Sequence, residues 1–463
     1  MNAPLQAAEF ANCIGGEWIK SRTGRTFDDV NPADTRDVVG RFQASSADDA
    51  RAAVAAAAAA FDGWRRTPIT KRAKVLLSAA DYLEAHAAPF AEELTREEGK
   101  SVALAKDEVL RSAQTLRFYA IEGQSFSGET FPNDDPEMLV YSAREPLGVV
   151  SVITPWNFPI SIPARKIAPA LVTGNTVVFK PSSDAPLIGY RLAEALVQAG
   201  LPKGALNFVT GAAGEQIHRA APLTTRTQME LGGKNPLIVM EDADLDRAVD
   251  LAIKGGLSLT GQACTGTSRL LVHSAVKAAF TDKLVSRIKQ LKVGSGMDPK
   301  SDVGPLATRK QLETVLRYVD IGKSEAKHLH GGERLKGEAF DHGYYVAPAV
   351  FTDVAQTMRI AREEIFGPVL AIIEVSSYDD AIAKANDTEY GLAAAIATKN
   401  PRYMHRFAQD IQAGTVKINR TTTGNLVNAP FGGLKRSCTS TFRESGRTGL
   451  EFYTQIKTVY QGL

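Results

Sequence analysis

Cysteine is scarce. The three thiols, Cys13, Cys264 and Cys438, are too few for a disulfide framework. None forms a CxxC pair, so no thiolate metal site is expected. Such usage fits a reducing cytoplasm. An excess of charge is also missing. Lys and Arg number 54 against 52 Asp and Glu, a net charge of +2, so neither nucleic acid nor an anionic membrane is expected as the main partner. There is no long apolar run either. The alanine-rich stretch 52–60 is too short and too weakly apolar to span a bilayer. The start, MNAPLQAAEFANCIGGEWIK, lacks the basic region and apolar core of a signal peptide. No internal repeat is present. What remains is ordinary for a globular protein, 44% apolar and 23% charged, and 463 residues suggest two or three domains.

The order of patterns sets the fold class. Residues 13–40 hold short strand-like pieces broken by Gly15-Gly16 and Asn31-Pro32, a hairpin region. Ser46 caps a helix that opens on Asp48 and Asp49, acids well placed against the helix dipole. Residues 69–98 and 101–127 read as two long helices, with Leu76, Leu77, Ala80 and Leu83, then Leu110, Leu116 and Phe118, at helical spacing. The segment 128–147 fits a β arm better than a core. Buried-strand signals at 148–153, 175–180 and 205–209 then alternate with helical segments. This rhythm means a parallel sheet with helices on its faces. Such sheets bind ligands at the carboxyl ends of their strands, where 155–159 and 180–186 lie. The rhythm repeats after residue 236, with strands expected at 269–272, near 344–351, and at 369–375, 392–397 and 415–419. The tail 451–460 reads as a terminal strand that needs a partner, and another subunit is expected to supply it. The fold class is α/β, two parallel-sheet domains plus a β arm.

One stretch stands out, Gly261-Gln-Ala-Cys-Thr-Gly-Thr-Ser-Arg. Cys264 sits among small and hydroxylated residues, where glycine lets substrate and backbone come close. Taken alone, this loop does not separate a nucleophile from a buried structural thiol, the commoner state of a lone cysteine.

Three further segments decide the reading: Thr154-Pro-Trp-Asn-Phe-Pro, Met229-Glu-Leu-Gly-Gly-Lys-Asn-Pro and Glu363-Glu-Ile-Phe-Gly-Pro-Val. With the cysteine loop, and in this order, they make the chain resemble the aldehyde dehydrogenase superfamily over nearly its whole length. The resemblance implies an NAD(P)-binding domain over 1–127 and 148–232, a catalytic domain over 233–430, and an oligomerisation arm from 128–147 and 448–463. It implies a homodimer or homotetramer. It also implies Cys264 as nucleophile, Asn157 as oxyanion donor with the Cys264 N–H, Glu230 as the base that activates water, and Lys166 as a further catalytic residue.

By the same resemblance, Ile153, Thr154, Pro155, Trp156, Lys180, Ser182, Ser183, Gly214, Leu231, Gly232, Glu364 and Phe366 face the cofactor. By pattern alone Phe366 is equally a core ring. NAD-preferring members carry glutamate where this chain has Ser183. A serine removes the charge that repels a 2′-phosphate, and Lys180 can pair with that phosphate, so NADP is expected, with NAD possible. Arg165 lies where semialdehyde dehydrogenases hold the substrate's distal carboxylate, and Thr265 and Arg420 are expected to join it. The segments 418–425 and 437–447 resemble members acting on α-ketoglutaric semialdehyde, with succinic semialdehyde as the alternative. Cys438 is expected beside the site, and Cys13 in a structural position. Glu230 argues against a CoA-acylating relative, and no histidine stands in a motif suited to a cysteine hydrolase.

One region departs from the family. After Gly211 the pattern skips roughly two dozen residues, about a helix and a strand, and of the pyrophosphate-binding turn only Gly214 survives. Either the protein has lost them or the sequence as written omits them. A genuine loss would favour a cofactor-deficient, non-catalytic relative.

Overall fold

The computed structural model describes residues 7–211, 225–438 and 442–462. The first long helix, Ala47–Arg65, starts as its sequence dictates. The Ser46 hydroxyl accepts the Asp48 and Asp49 N–H groups, and the Asp49 carboxylate accepts the Ser46 N–H at 2.8 Å, a reciprocal cap. The segment expected as one helix over 69–98 is two, Ile69–Ala85 and Ala87–Glu98. Pro89 has no N–H to continue the ladder, so the chain breaks just before it, at His86, whose ring nitrogen meets the Tyr82 carbonyl at 2.8 Å. The helix Val102–Ser125 follows, and its Leu116 packs with Leu76, Leu83 and Leu94 in one core.

That core covers the first sheet. The strands Val149–Ile153, Thr176–Lys180 and Leu206–Phe208 run parallel, joined by the helices Ser161–Val172 and Leu187–Gln198. The N-terminal hairpin, Asn12–Ile14 and Glu17–Ile19, adds two antiparallel strands beyond Leu206–Phe208. Cys13 is buried there, opposite Phe208. Gly214 and the expected gap lie outside the described residues.

The second sheet has seven strands. In order across it they are Lys327–His330, Ala349–Thr352, Val369–Val375, Thr267–His273, Asn235–Val239, Ala393–Ala397 and Thr415–Ile418. Only the edge strand Lys327–His330 is antiparallel. The central strands read as apolar runs because both faces are covered, and every residue of Asn235–Val239 is buried. The polar edge strand carries no such run, and nothing in its sequence predicts it.

The tail forms the strand Thr454–Gly462, and one of its two edges is paired within the chain. It pairs antiparallel with Met138–Pro146 of the same chain, in unbroken register from Thr454 opposite Pro146 to Gly462 opposite Met138. Ile456 and Tyr460 stay 62% and 69% exposed. Among the described residues, no helix is long and apolar enough to cross a membrane, and no cluster of side chains is suited to a metal ion.

Candidate active site

The cysteine loop joins the helix Leu245–Leu257 to the strand Thr267–His273. It turns sharply, with Thr260 at φ 53° and Gly261 at φ 71°. Gly261 is required there, since a Cβ would sit 2.0 Å from the Gly367 carbonyl oxygen. One side chain pins the loop. Asn235 Nδ2 donates to the carbonyls of Cys264 (2.8 Å) and Gly266 (2.9 Å), and its Oδ1 accepts the Ala393 N–H. Asn235 stands inside a quoted motif, yet sequence reasoning gave it no role. Thr265 is buried within this loop.

Asn157 arrives from the other sheet, in the loop between Val149–Ile153 and Ser161–Val172, and is 2% exposed. The two motif loops meet through Trp156 and Phe366, edge to face at 5.4 Å. Phe366 adopts a left-handed backbone, φ 57°, and Gln311 Nε2 holds the carbonyls of Ile365 and Phe366 at 2.9 and 2.7 Å.

The thiol of Cys264 is half-buried, and burial pushes it up to about 12. The Arg165 charge opposes this, whereas Glu230, Glu444 and Glu364 add to it. Those four side chains thus share one electrostatic environment with the sulfur. Glu230 is raised to about 8, first by burial and then by Glu444, against the pull of Lys166. Its Oε1 lies 3.5 Å from the Cys438 sulfur, which places Cys438 beside the carboxylate, and its Oε2 has no hydrogen-bond partner.

Glu444 carries no role in the sequence reading, although it lies inside a quoted segment. It is 2% exposed and bridges two cations, Arg165 at 2.9 Å and Lys166 at 2.9 Å. They hold its carboxyl below the usual range despite burial. Arg165 therefore already meets a carboxylate of its own chain, and its Cζ lies over the Phe431 ring at 5.5 Å. Arg420, expected to join the substrate residues, is exposed, and the charge it perturbs is Lys417.

The residues expected to face the cofactor lie at the strand ends. Ile153, Pro155 and Leu231 are exposed, Trp156 is half-buried, and Thr154 is buried with its hydroxyl unpartnered. Lys180, Ser182 and Ser183 are half-buried just after Thr176–Lys180, and the Ser182 hydroxyl accepts the Asp184 N–H at 3.2 Å. Across the cleft, Glu364 Oε1 accepts the Gly233 N–H at 2.9 Å.

The model of the aldehyde dehydrogenase family matches residues 18–221 and 211–459. The chain belongs to the aldehyde dehydrogenase family. It is similar to the alpha-ketoglutarate semialdehyde dehydrogenase of Haloferax volcanii, 43% identical across 97% of this chain and 98% of that one. The alpha-ketoglutaric semialdehyde dehydrogenase of Bacillus subtilis is 42% identical across 99% of each. Among solved structures, betaine aldehyde dehydrogenase of Staphylococcus aureus in complex with NAD+ superposes with a TM-score of 0.94, at 33% identity, over 98% of this chain and 95% of that one. The family match falls into two stretches that join at 211–221, where the sequence departs from the pattern.

This aldehyde dehydrogenase is an enzyme that uses a nicotinamide cofactor to oxidise an aldehyde. The residues at the cleft fit such a cofactor. The unpartnered Thr154 hydroxyl is available to a ligand, and Glu364 offers an acceptor for ribose hydroxyls. Gly232 leaves that carboxylate its place, since a Cβ there would fall 2.0 Å from Glu364 Oε2. Gly232→Ala is therefore expected to displace Glu364 and raise the KM for cofactor by at least about tenfold, a loss of ~1.4 kcal/mol. Initial rates at varied cofactor concentration check this.

Proposed function

We propose that the enzyme oxidises α-ketoglutaric semialdehyde to 2-oxoglutarate with NADP, NAD serving as an alternative. Succinic semialdehyde is the nearest other substrate. The observation that carries the substrate class is the charge beside the thiol. Arg165 and Lys166 are two cations sharing one carboxylate, Glu444, beside Glu230, whose carboxyl burial raises to about 8. The excess positive charge suits an aldehyde with a distal carboxylate. The names of the Haloferax and Bacillus relatives support the same substrate.

In this reading the Cys264 thiol releases its proton to solvent, and the thiolate attacks the aldehyde carbon and forms a thiohemiacetal. Its oxyanion is held by the Asn157 side-chain amide and the Cys264 N–H. A nicotinamide bound at the cleft would supply the hydride acceptor, and loss of hydride from the carbon leaves a thioester on Cys264. Glu230 takes a proton from water, which cleaves the thioester and frees the acid. Lys166 fixes Glu444 and, through its charge, favours the ionised form of Glu230. Ser183 and Lys180 favour a 2′-phosphate. The exposed Ile456 and Tyr460 on the edge strand suit a second copy of the chain, in a homodimer or homotetramer.

Initial rates over a panel of aldehydes, with NAD and with NADP, test this. The carboxylated semialdehydes should give the highest kcat/KM. Arg165→Ala should raise their KM about tenfold or more while leaving an uncharged aldehyde of equal length nearly unaffected. Equal kcat/KM for both classes in the unaltered enzyme would reject the assignment. The break in the family pattern at 211–221 favours a second reading, a relative that no longer binds cofactor. Fluorescence titration with NADP separates the two.

A further inference from the structure

Three ionisable residues that belong to none of the motifs lie behind the Asn157 loop. Lys100, Glu98 and Glu108 are all buried. Lys100 Nζ stands 2.5 Å from Glu108 Oε2 and 3.6 Å from Glu98 Oε2. It also donates to the main-chain carbonyl of Asn157 at 2.8 Å and lies over the Phe158 ring at 4.8 Å. The other oxygen of Glu108 accepts the N–H groups of Ile160 (3.3 Å) and Ser161 (3.1 Å). Those N–H groups open the helix Ser161–Val172, which has no side-chain cap from its own N-cap residue. Glu108 therefore does from a distance what a local cap does elsewhere.

Burying charge is costly, and apolar residues of like size would often fill such a space more favourably. An apolar pair, however, binds neither a carbonyl nor two N–H groups. Glu98 is pushed up to about 8 by burial, against the pull of Lys100 and with Glu108 adding to the shift. The Lys100–Glu108 pair thus grips the irregular loop at two points, the Asn157 carbonyl and the start of the helix that follows.

We infer that Lys100 and Glu108 are positioning residues, which fix the backbone at Asn157 so that its side-chain amide points where the oxyanion forms. This rests on Asn157 being the oxyanion donor, and the test keeps the two ideas apart. The rate constant of the pre-steady-state burst of reduced nicotinamide is measured in the whole enzyme, per Cys264 site titrated with iodoacetamide. Asn157→Ala should slow the burst about 10²–10³-fold. The double variant Lys100→Met/Glu108→Gln, which removes both charges together, should slow it about 10–10²-fold, with the alkylation rate of Cys264 and the dissociation constant for cofactor within about twofold of normal. Adding Asn157→Ala to the double variant should slow it no further than Asn157→Ala alone. A normal burst in the double variant, or losses that multiply in the triple, overturns the proposal. A normal burst in Asn157→Ala instead overturns the role of Asn157. If the double variant does not fold, Lys100→Arg serves. It keeps the charge but displaces the carbonyl contact, so the burst should again slow, and an unchanged burst overturns the proposal.

Discussion

Cys264→Ala should abolish aldehyde oxidation, lowering kcat by at least about four orders of magnitude. The size follows from the chemistry. An aldehyde carbon does not release its hydrogen as hydride until a nucleophile has made it tetrahedral, and Cys264 is the one thiol of this loop, beside hydroxyls that are far weaker nucleophiles. The variant should still fold and bind cofactor, because Asn235 holds the loop through the carbonyls of Cys264 and Gly266 and not through the sulfur. Cofactor titration by fluorescence therefore accompanies the rate measurement. Normal turnover by the alanine variant would refute the nucleophile assignment outright. Burial pushes the thiol up to about 12. Arg165 is the charge that most favours the thiolate.

The second large effect is expected at Glu230. Glu230→Gln should leave the burst of reduced nicotinamide intact and lower the steady-state rate by about 10²–10⁴-fold, since the thioester then waits for a water that nothing activates. Loss of the burst along with turnover would place Glu230 in the first half of the reaction instead. The pH dependence has a definite sign. The base works when ionised, and its carboxyl is raised to about 8, so thioester hydrolysis should increase with pH and level off above about 8. Lys166 pulls Glu230 down, so Lys166→Met should move that limb to higher pH. A steady-state profile flat between pH 6 and 9, with hydrolysis limiting, would contradict this.

The sulfur, the amide and the carboxylates assigned to the chemistry can be named from short motifs, because each lies in a compact glycine- or proline-rich stretch. The residues that hold them in place cannot. Asn235 reaches the cysteine loop, Glu444 reaches Arg165 and Lys166, and Lys100 and Glu108 reach the Asn157 loop, each from an element far away in sequence. The same contrast appears with Arg165. As a residue type it suits a carboxylate, but only the folded chain shows that Glu444 already occupies part of its guanidinium.

What the sequence by itself determined is the alternation of strand and helix. A strand covered on both faces must be apolar throughout, and a helix on a sheet must be apolar on one side, so both leave periodic marks. The break at His86 also has a local cause, the missing N–H of Pro89, although 69–98 reads as a single helix. The tertiary structure alone decided the pairings. The tail strand Thr454–Gly462 was legible as a strand in need of a partner, but its match with Met138–Pro146 depends on register over a long sequence separation. The polar edge strand Lys327–His330 was invisible for the converse reason, since one open edge demands no apolar run. Charge followed the same division. A net charge of +2 said only what the protein avoids, whereas the ionisation of Cys264 and Glu230 was set by burial and by neighbours that folding brought together.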